Sequence, residues 1–337
     1  MRRSAGIAGL GFYVPERIMY NDELGDYCGI KGSWIEERLG IKMRRIASQD
    51  QALSDLAYYA ASRAMDQAEV HAKQIDLIIV CAISHDKRAP ATAAILQKRL
   101  GAINSAAFDV NVGGCPGSSY SLVIAQQFVE NGMYDTVLVI SGEIYSKIVD
   151  FSDRNVAPFF GDGVGAVILK SCRENKGIIS SVLGADGEGG ADKIVCEGGS
   201  RVSINLKNFE SGKLTKIEMD NKAVWKFGTQ IFPRVVELVS NKAGVDKENI
   251  DWIIPHQANI NMIKKGIKTL GLSMDNVYTN MDRYANTGGG SVLIALAEAF
   301  EKGLIKSDEY VVLASFGAGF SWGALLMRWC SKDDFII

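Results

Sequence analysis

Cys115 is the residue of this 337-residue chain whose surroundings best suit covalent chemistry. It follows Gly113 and Gly114 and precedes Pro116, and a run of apolar residues at helical spacing begins near Gly117. A residue at such a turn from strand to helix lies at the carboxyl end of a sheet, where α/β folds bind their ligands. The positive end of a helix favours a thiolate. The pattern predicts a nucleophilic cysteine with a pKa below its ordinary value of about 8.5.

The order of elements that positions this residue occurs twice in the chain. Residues 68–79 match residues 243–254 at an offset of 175, and residues 115–122 match residues 286–293 at an offset of 171. In both halves a helix leads to an apolar strand, a glycine-rich turn, an amphipathic helix and another apolar strand. Continuous apolar strands are typical of a sheet that helices cover on both faces. The sequence therefore predicts a duplicated α/β chain.

We expect the two halves to be residues 1–175 and 176–337, with their glycine-rich turns facing each other across a pseudo-twofold axis. Cys115 lies in one turn and Asn286 in the other. His256 ends the strand that repeats the strand Leu77–Ile83, so it is expected at the same sheet edge as Cys115 and Asn286. A histidine at a strand end is more often structural than catalytic, and this shared edge is what favours a catalytic role.

Composition excludes several classes of function. The net charge of −2 gives no electrostatic reason to expect binding to nucleic acid or to a membrane surface, and no apolar run approaches the roughly 20 residues of a membrane span. Six cysteines without a CxxC pair and three histidines offer no metal-site spacing, and they indicate a reduced, cytoplasmic protein. The glycine-rich beginning, residues 1–16, favours a first β-strand over a signal peptide.

Four motifs together resemble the thiolase superfamily, and within it the β-ketoacyl-acyl-carrier-protein synthase III family. They are GGCPGSS around Cys115, PHQAN around His256, ANTGGGS around Asn286, and FGAGFSWG from Phe316. The resemblance covers nearly the whole chain. It implies a five-layered αβαβα thiolase-like fold, a homodimer, no cofactor, and acyl-CoA and malonyl-acyl carrier protein as partners.

The resemblance also implies a mechanism, the decarboxylative Claisen condensation of an acyl primer with a malonyl thioester. Cys115 would carry the acyl group, while His256 and Asn286 would stabilise the enolate formed as CO₂ leaves. The backbone N–H groups of Cys115 and Ala318 would form the oxyanion hole. The family usually has glycine at the position of Ala318, which a backbone donor does not require. A Cys–His–Asn set suits decarboxylation, because no base is needed to remove a proton.

Further site residues follow from the same resemblance. The positions expected to bind CoA are Trp34, Arg38 and Arg154. The positions expected in the substrate pocket are Lys87, Arg88, Tyr145, Phe160, Lys222, Asn259 and Phe316. The positions expected to dock the acidic carrier protein are Lys264, Lys265 and Lys268.

The chain departs from the family pattern at the segment 84–90, which is two residues longer and more charged than usual. Lys87 and Arg88 are either solvated or paired with a carboxylate on an unusual acyl group. Lys222 replaces a residue that is normally neutral at the pantetheine channel, and Asn261 replaces an arginine associated with carrier-protein docking.

Two other functions remain open from the sequence. Cys115 could pass its acyl group to an amine or alcohol without condensation, although Asn286 would then have no enolate to stabilise. The chain could also be one subunit of a heterodimeric ketosynthase, although it retains all three catalytic residues. The acyl primer, and whether the pathway is fatty-acid initiation, specialised metabolism or biotin-precursor synthesis, are not determined by the sequence.

Overall fold

The computed structural model describes residues 3–212, 214 and 217–336. The β-strands are β1 (Ser4–Tyr13), β2 (Arg17–Tyr20), β3 (Met43–Ile46), β4 (Leu77–Cys81), β5 (Ala106–Val110), β6 (Thr136–Glu143), β7 (Gly163–Cys172), β8 (Gly177–Ala185), β9 (Ile194–Cys196), β10 (Ile217–Met219), β11 (Trp252–Pro255), β12 (Tyr310–Gly317) and β13 (Ser321–Arg328). The α-helices are α1 (Asn21–Cys28), α2 (Gly32–Leu39), α3 (Leu53–Ala68), α4 (Thr92–Leu100), α5 (Gly117–Glu130), α6 (Gly187–Gly190), α7 (Leu206–Glu210), α8 (Asn221–Ala243), α9 (Ile260–Leu270), α10 (Met281–Tyr284) and α11 (Gly290–Glu301).

Two mixed sheets form the frame of the molecule. The first has the order β1-β7-β6-β4-β5, with β4 parallel to β5 and β6, and with β7 antiparallel to β6 and β1. The second has the order β11-β12-β13-β8, with β11 parallel to β12 and the remaining pairs antiparallel. The turn with Cys115 follows β5 of the first sheet, as predicted, whereas the turn with Asn286 follows α10 and not a strand of the second sheet.

Helices cover both faces of both sheets. Helices α5 and α11 lie side by side between the sheets, α3 packs on the outer face of the first sheet, and α8 packs on the outer face of the second. Helix α4 packs against β4, β5 and α3, and α9 packs against α8. The result is the five-layered αβαβα fold that was predicted.

The apolar runs of the sequence become the buried strands. All residues of β4 and β6 are buried, as expected for strands with helices on each side. Helix α11 is buried from Gly290 to Ala299, because it has a sheet on both sides and α5 beside it. Each fully buried aliphatic side chain contributes about 1.5–3 kcal/mol relative to an exposed one, so these central elements hold the turns in place.

The beginning of the chain forms a strand, as predicted, with Ser4–Tyr13 pairing with Gly163–Cys172. The predicted boundary between the halves, at 175/176, lies in the turn between β7 and β8. Within the described residues, no helix is long and apolar enough to cross a membrane. The same part of the chain contains no cluster of three or more side chains that could hold a metal ion.

Candidate active site

The turn before α5 presents Cys115 to the interior of the protein. Gly113 and Gly114 have φ values of 74° and 84°, a region that other residues rarely adopt. A Cβ atom on Gly113 would lie 2.9 Å from the Ala318 Cβ, and one on Gly114 would lie 2.9 Å from the Tyr145 hydroxyl. The two glycines are therefore required both by the backbone and by the groups that approach it.

The sulfur of Cys115 lies in a buried, polar setting. It is 3.8 Å from the Tyr145 hydroxyl and 3.9 Å from the side-chain amide nitrogen of Asn286. Burial raises the pKa of the Cys115 thiol to about 11, although the hydrogen bonds with Tyr145 and Asn286 act in the opposite direction. The lowered pKa predicted from the helix dipole is wrong, because burial of the sulfur outweighs the effect of the dipole.

Asn286 is held by the turn before α11. Its backbone pairs with Phe160 in an isolated parallel bridge, which brings the two halves of the chain together. Its side-chain oxygen accepts a hydrogen bond from the Gly288 N–H at 2.8 Å. This bond fixes the orientation of the amide, whose oxygen and nitrogen both lie 3.9 Å from the Cys115 sulfur. Because Gly288 occupies the oxygen, the NH₂ group is the part of the side chain that can donate to a substrate.

His256 follows β11 and is buried and uncharged. Burial lowers its pKa to about 3. Its Nδ1 lies 2.7 Å from the Ser291 hydroxyl, and that hydroxyl oxygen accepts the Gln257 N–H at 3.3 Å. A hydroxyl can donate one hydrogen bond while it accepts another, so the Ser291 hydroxyl can donate to Nδ1, and we infer this direction because a donor role for His256 requires it. The imidazole then carries its proton on Nε2, where it can donate to a substrate.

The backbone near Ala318 lies directly against Cys115. A Cβ atom on Gly317 would be only 2.7 Å from the Cys115 Cβ, so this position of the β12–β13 turn has no space for a side chain. Ala318 itself contacts Gly113 and faces the same cavity as Cys115. The turn that was predicted to supply the second oxyanion donor is therefore next to the nucleophile.

One cavity of about 910 Å³ contains Cys115, His256 and Asn286. Seven further positions expected in the substrate pocket or oxyanion hole line its walls, and six of them are Lys87, Arg88, Tyr145, Phe160, Asn259 and Ala318. Phe316 lines it as well, with its ring at right angles to that of His256 and the ring centres 5.7 Å apart. A cavity of this size suits a small molecule of the size of a pantetheine arm and a short acyl chain.

Comparison with known proteins identifies the family. The family described as 3-oxoacyl-(acyl-carrier-protein) synthase III matches residues 108–187, and the family describing its C-terminal part matches residues 240–329. A β-ketoacyl-(acyl-carrier-protein) synthase III from Caldanaerobacter subterraneus is 44% identical over 97% of this chain and 98% of its own. The chain belongs to the β-ketoacyl-acyl-carrier-protein synthase III family.

Solved structures of this family have the same fold. The chain is similar to a synthase III from Thermus thermophilus, with a TM-score of 0.89, 37% identity, and coverage of 96% of this chain and 99% of the other. It is also similar to a synthase III from Pseudomonas aeruginosa, with a TM-score of 0.89, 29% identity, and coverage of 99% and 100%. The thiolase-like fold and the condensing-enzyme family predicted from the four motifs are confirmed.

One residue that was expected in the substrate pocket, Lys222, lies elsewhere. Lys222 is exposed and is not among the residues that line the cavity. Asn221, Val224 and Trp225 of α8 do line it. A residue one position after Asn221 is rotated by about 100° around a helix, which directs the Lys222 side chain away from the cavity.

The lysines expected to dock a carrier protein lie on the exposed face of α9, near the cavity. Lys264, Lys265 and Lys268 are all exposed. Lys265 lies over the ring of Trp225, 6.0 Å from its centre, and Trp225 also lines the cavity. The basic face of α9 therefore adjoins one wall of the cavity.

The residues expected to bind CoA lie on the surface outside the cavity. Trp34 on α2 is 44% exposed, and Arg38 and Arg154 are exposed too. The carbonyl of Arg38 accepts a hydrogen bond from Asn261 at 2.9 Å, which connects α2 to the start of α9. The residue after Arg154, Asn155, accepts one from Asn221, which lines the cavity.

Two residues near the catalytic set were missed by the sequence reasoning. Ser291 contacts His256, and the only signal was its place in the ANTGGGS motif. Glu143, at the end of β6, is fully buried and accepts hydrogen bonds from the Ile83 and Ser84 N–H groups and from the Ser84 hydroxyl. Burial raises the pKa of Glu143 to about 7. The sequence pattern that could have indicated Glu143 is a single carboxylate at the end of an apolar strand.

Proposed function

We propose that the protein forms a thioester between Cys115 and an acyl group from acyl-CoA, and then condenses that group with a malonyl thioester to give a β-ketoacyl product. The observation that carries this proposal is the presence of Cys115, neutral His256 and an oriented Asn286 in one cavity. The Cys115 thiol loses its proton to solvent, the thiolate attacks the acyl carbonyl, and the bond from that carbonyl to the CoA sulfur breaks, so that CoA leaves as a thiolate and takes up a proton from solvent. The backbone N–H groups of Cys115 and Ala318 stabilise the oxyanion formed in between.

The second step uses His256 and Asn286 as hydrogen-bond donors. The Nε2–H of His256 and the NH₂ of Asn286 bind the thioester carbonyl of the malonyl unit and stabilise the enolate as CO₂ is lost. The enolate attacks the Cys115 thioester, and the electron pair of the broken bond returns to sulfur. An imidazole with a pKa of about 3 is a poor base but a good neutral donor, which suits a carbanion made by decarboxylation.

The delivery of both substrates uses the surface around the cavity. Trp34, Arg38 and Arg154 bind the nucleotide end of CoA, because an aromatic ring and guanidinium groups suit a purine and its phosphates. Lys264, Lys265 and Lys268 receive the malonyl-acyl carrier protein, whose acidic surface complements them. In this proposal the enzyme works in the cytoplasm as a homodimer, without a cofactor, in fatty-acid initiation or a related pathway. Light scattering of the purified protein tests the dimer.

Lys87 and Arg88 select the acyl primer by its charge. Both line the cavity, and Arg88 donates a hydrogen bond to the Gly198 carbonyl. The neighbouring carboxylates are already engaged, since Asp86 accepts the Ser54 N–H and Asp109 accepts the first N–H groups of α4. Glu197 also lines the cavity and reduces the net positive charge there. We infer that a primer with a terminal carboxylate pairs with Lys87 or Arg88.

Acyl-enzyme formation from glutaryl-CoA and butyryl-CoA tests this choice of primer. The Lys87→Ala/Arg88→Ala variant is expected to lose roughly twofold to fivefold in its preference for glutaryl-CoA, because an exposed ion pair contributes about 0.4–1 kcal/mol. Lys98→Ala, an exposed lysine on α4, is the matched control. An unchanged ratio in the double variant would remove Lys87 and Arg88 from the primer site.

The condensation itself is tested by mass spectrometry of the intact protein. Incubation with acyl-CoA is expected to add one acyl group, on Cys115, and malonyl-acyl carrier protein is expected to discharge it with formation of the β-ketoacyl product. Cys115→Ala should abolish both. Discharge by water, amines or alcohols alone would instead favour acyl transfer without condensation, and activity that required a second, different chain would favour a heterodimeric ketosynthase.

A further inference from the structure

The buried hydroxyl of Tyr145 is a functional group that the condensation mechanism does not yet use. Tyr145 follows the end of β6, and its ring packs on Phe160 with the ring centres 4.3 Å apart. Only 2% of the residue is exposed. Its backbone carbonyl accepts the N–H groups of Ile148 and Val149, both at 2.9 Å, so the residue is fixed at both ends.

The two glycine-rich turns make the space that this hydroxyl occupies. A Cβ atom on Gly114 would lie 2.9 Å from the Tyr145 oxygen, and one on Gly288 would lie 3.0 Å from it. The hydroxyl therefore fits between the turn that carries Cys115 and the turn that carries Asn286. It lies 3.8 Å from the Cys115 sulfur, within the range of hydrogen bonds to sulfur.

We propose that Tyr145 is a further catalytic residue, which donates a hydrogen bond from its hydroxyl to the Cys115 thiolate. The inference rests on the proposed role of Cys115 as the acyl-carrying nucleophile. The bond acts when the thiolate attacks acyl-CoA and again when the C–S bond of the thioester breaks and its electron pair returns to sulfur. No proton is transferred in either step.

The setting of the hydroxyl suits a donor. Burial raises the pKa of Tyr145 well above its ordinary value, so the hydroxyl keeps its proton while the sulfur ionises. A thiolate in a buried site has lost its hydration, and a charge-assisted hydrogen bond replaces part of it. The Asn286 amide lies 3.9 Å from the same sulfur, but in the proposed condensation its NH₂ serves the malonyl carbonyl, whereas the Tyr145 hydroxyl can stay on the sulfur.

Alkylation of Cys115 by iodoacetamide tests the bond without any condensation. Below the thiol pKa the rate follows the thiolate fraction, partly offset by the greater nucleophilicity of a more basic thiolate. Tyr145→Phe removes only the hydroxyl, and it is expected to slow alkylation roughly threefold to tenfold, the effect of raising the thiol pKa by about one unit. Tyr278→Phe, which removes a hydroxyl bonded to Lys302, is the matched control and should alkylate at the wild-type rate.

Other ionisable groups near the Cys115 sulfur determine the pH and the readout of the alkylation experiment. Glu143 disfavours the thiolate and has a pKa of about 7, so rates are compared above pH 8, where it is ionised in every variant. His256 is neutral throughout, and the buried Cys81 has a raised pKa. Because Cys196 also lines the cavity, the modified cysteine is identified by peptide mass spectrometry.

An unchanged alkylation rate in folded Tyr145→Phe would overturn the inference. If that variant does not fold, 3-fluorotyrosine at position 145 keeps the ring and has a more acidic hydroxyl. Faster alkylation of Cys115 than in the wild type at the same pH then supports the bond, because a more acidic hydroxyl is a stronger donor to the thiolate. A pH profile of alkylation equal to that of the wild type overturns it. Failure of the proposed function has a different signature, since wild-type protein would then form no β-ketoacyl product although Cys115 alkylation still depended on Tyr145.

Discussion

The two glycine-rich turns of this chain occupy equivalent places in the two halves, but they hold their functional residues differently. In the first turn the left-handed glycines, Gly113 and Gly114, precede Cys115. In the second, a positive φ occurs both before Asn286, at Ala285 (58°), and after it, at Gly288 (63°). As a result the Asn286 oxygen is held by the Gly288 N–H at 2.8 Å, whereas the Cys115 sulfur has longer contacts, at 3.8 and 3.9 Å.

The helices that follow the turns differ in the same way. Helix α11 is buried at every position from Gly290 to Ala299, whereas α5 alternates between buried and partly exposed positions. The two copies of the duplicated turn therefore have different functions. One leaves a nucleophile free to react and be acylated, and the other orients a donor that must not move.

Asn286→Ala tests this division most directly. If Asn286 acts only on the malonyl unit, the variant should still form the Cys115 thioester but condense roughly 10²–10³-fold more slowly, the usual cost of losing one donor to a developing oxyanion. Single-turnover acylation and steady-state product formation separate the two steps. Asn276→Ala is the control, since that amide donates to the carbonyls of Ile250 and Asp251 and does not line the cavity. An equal loss in both steps would show that the turns do not divide the work.

Much of this arrangement follows from the sequence, because it depends on local patterns. The match of residues 115–122 with 286–293 gives the two turns, and the continuous apolar strands give their burial. The four motifs give the family. These features depend on local backbone conformation and on the order of apolar segments, and both can be inferred from the sequence.

Other features depend on which groups meet in three dimensions. The high pKa of Cys115 comes from burial that no local pattern records. The bond between His256 and Ser291 joins residues 35 positions apart. Lys222 lies outside the cavity because of its rotation on α8, and motif matching assigns a position to a region but not a direction to its side chain.

Glu143 is a buried side chain that packs against both glycine-rich turns. A Cβ atom on Gly114 would lie 3.4 Å from its carboxylate, and one on Gly288 would lie 2.5 Å from its Cγ, so the side chain packs against both turns. Its pKa is raised from 4.5 to about 7, so the folded state binds the proton more tightly than the unfolded state. The stability that this group contributes is present below pH 4.5 and is lost as the pH rises through 7.

Glu143→Gln should therefore gain stability relative to the wild type as the pH rises from 4.5 to 7.5, by on the order of 3 kcal/mol. Urea unfolding at several pH values measures the difference. Glu298→Gln is the control, because hydrogen bonds from Arg283 and Asn280 overcome burial and lower the pKa of Glu298, whose contribution is lost only below pH 4.5. If the difference in free energy of unfolding between Glu143→Gln and the wild type did not change with pH, the Glu143 carboxyl would not be buried as described.

The second residues of the two central helices give the finest comparison between the turns. Ser291 in α11 holds the Nδ1 of His256, whereas the hydroxyl of Ser118 in α5 is buried without a hydrogen-bond partner among the described residues. Ser291→Ala removes the donor that keeps the His256 proton on Nε2, so condensation should slow about tenfold, or 1.4 kcal/mol, while acylation of Cys115 is unchanged. Ser291→Thr keeps a hydroxyl and should restore most of the rate.

Ser118→Ala is the matched control for that change. It removes a hydroxyl from the same position of the other helix, and it should leave condensation within about twofold of the wild type, because no bond is lost and a buried polar group is removed. Stopped-flow measurement of product formation from preformed acyl-enzyme distinguishes the variants. Equal losses in Ser291→Ala and Ser118→Ala would indicate that the start of either helix tolerates no change in packing. A loss confined to Ser291→Ala would show that Ser291 acts through His256, by keeping the imidazole proton on Nε2 where it can bind the malonyl carbonyl.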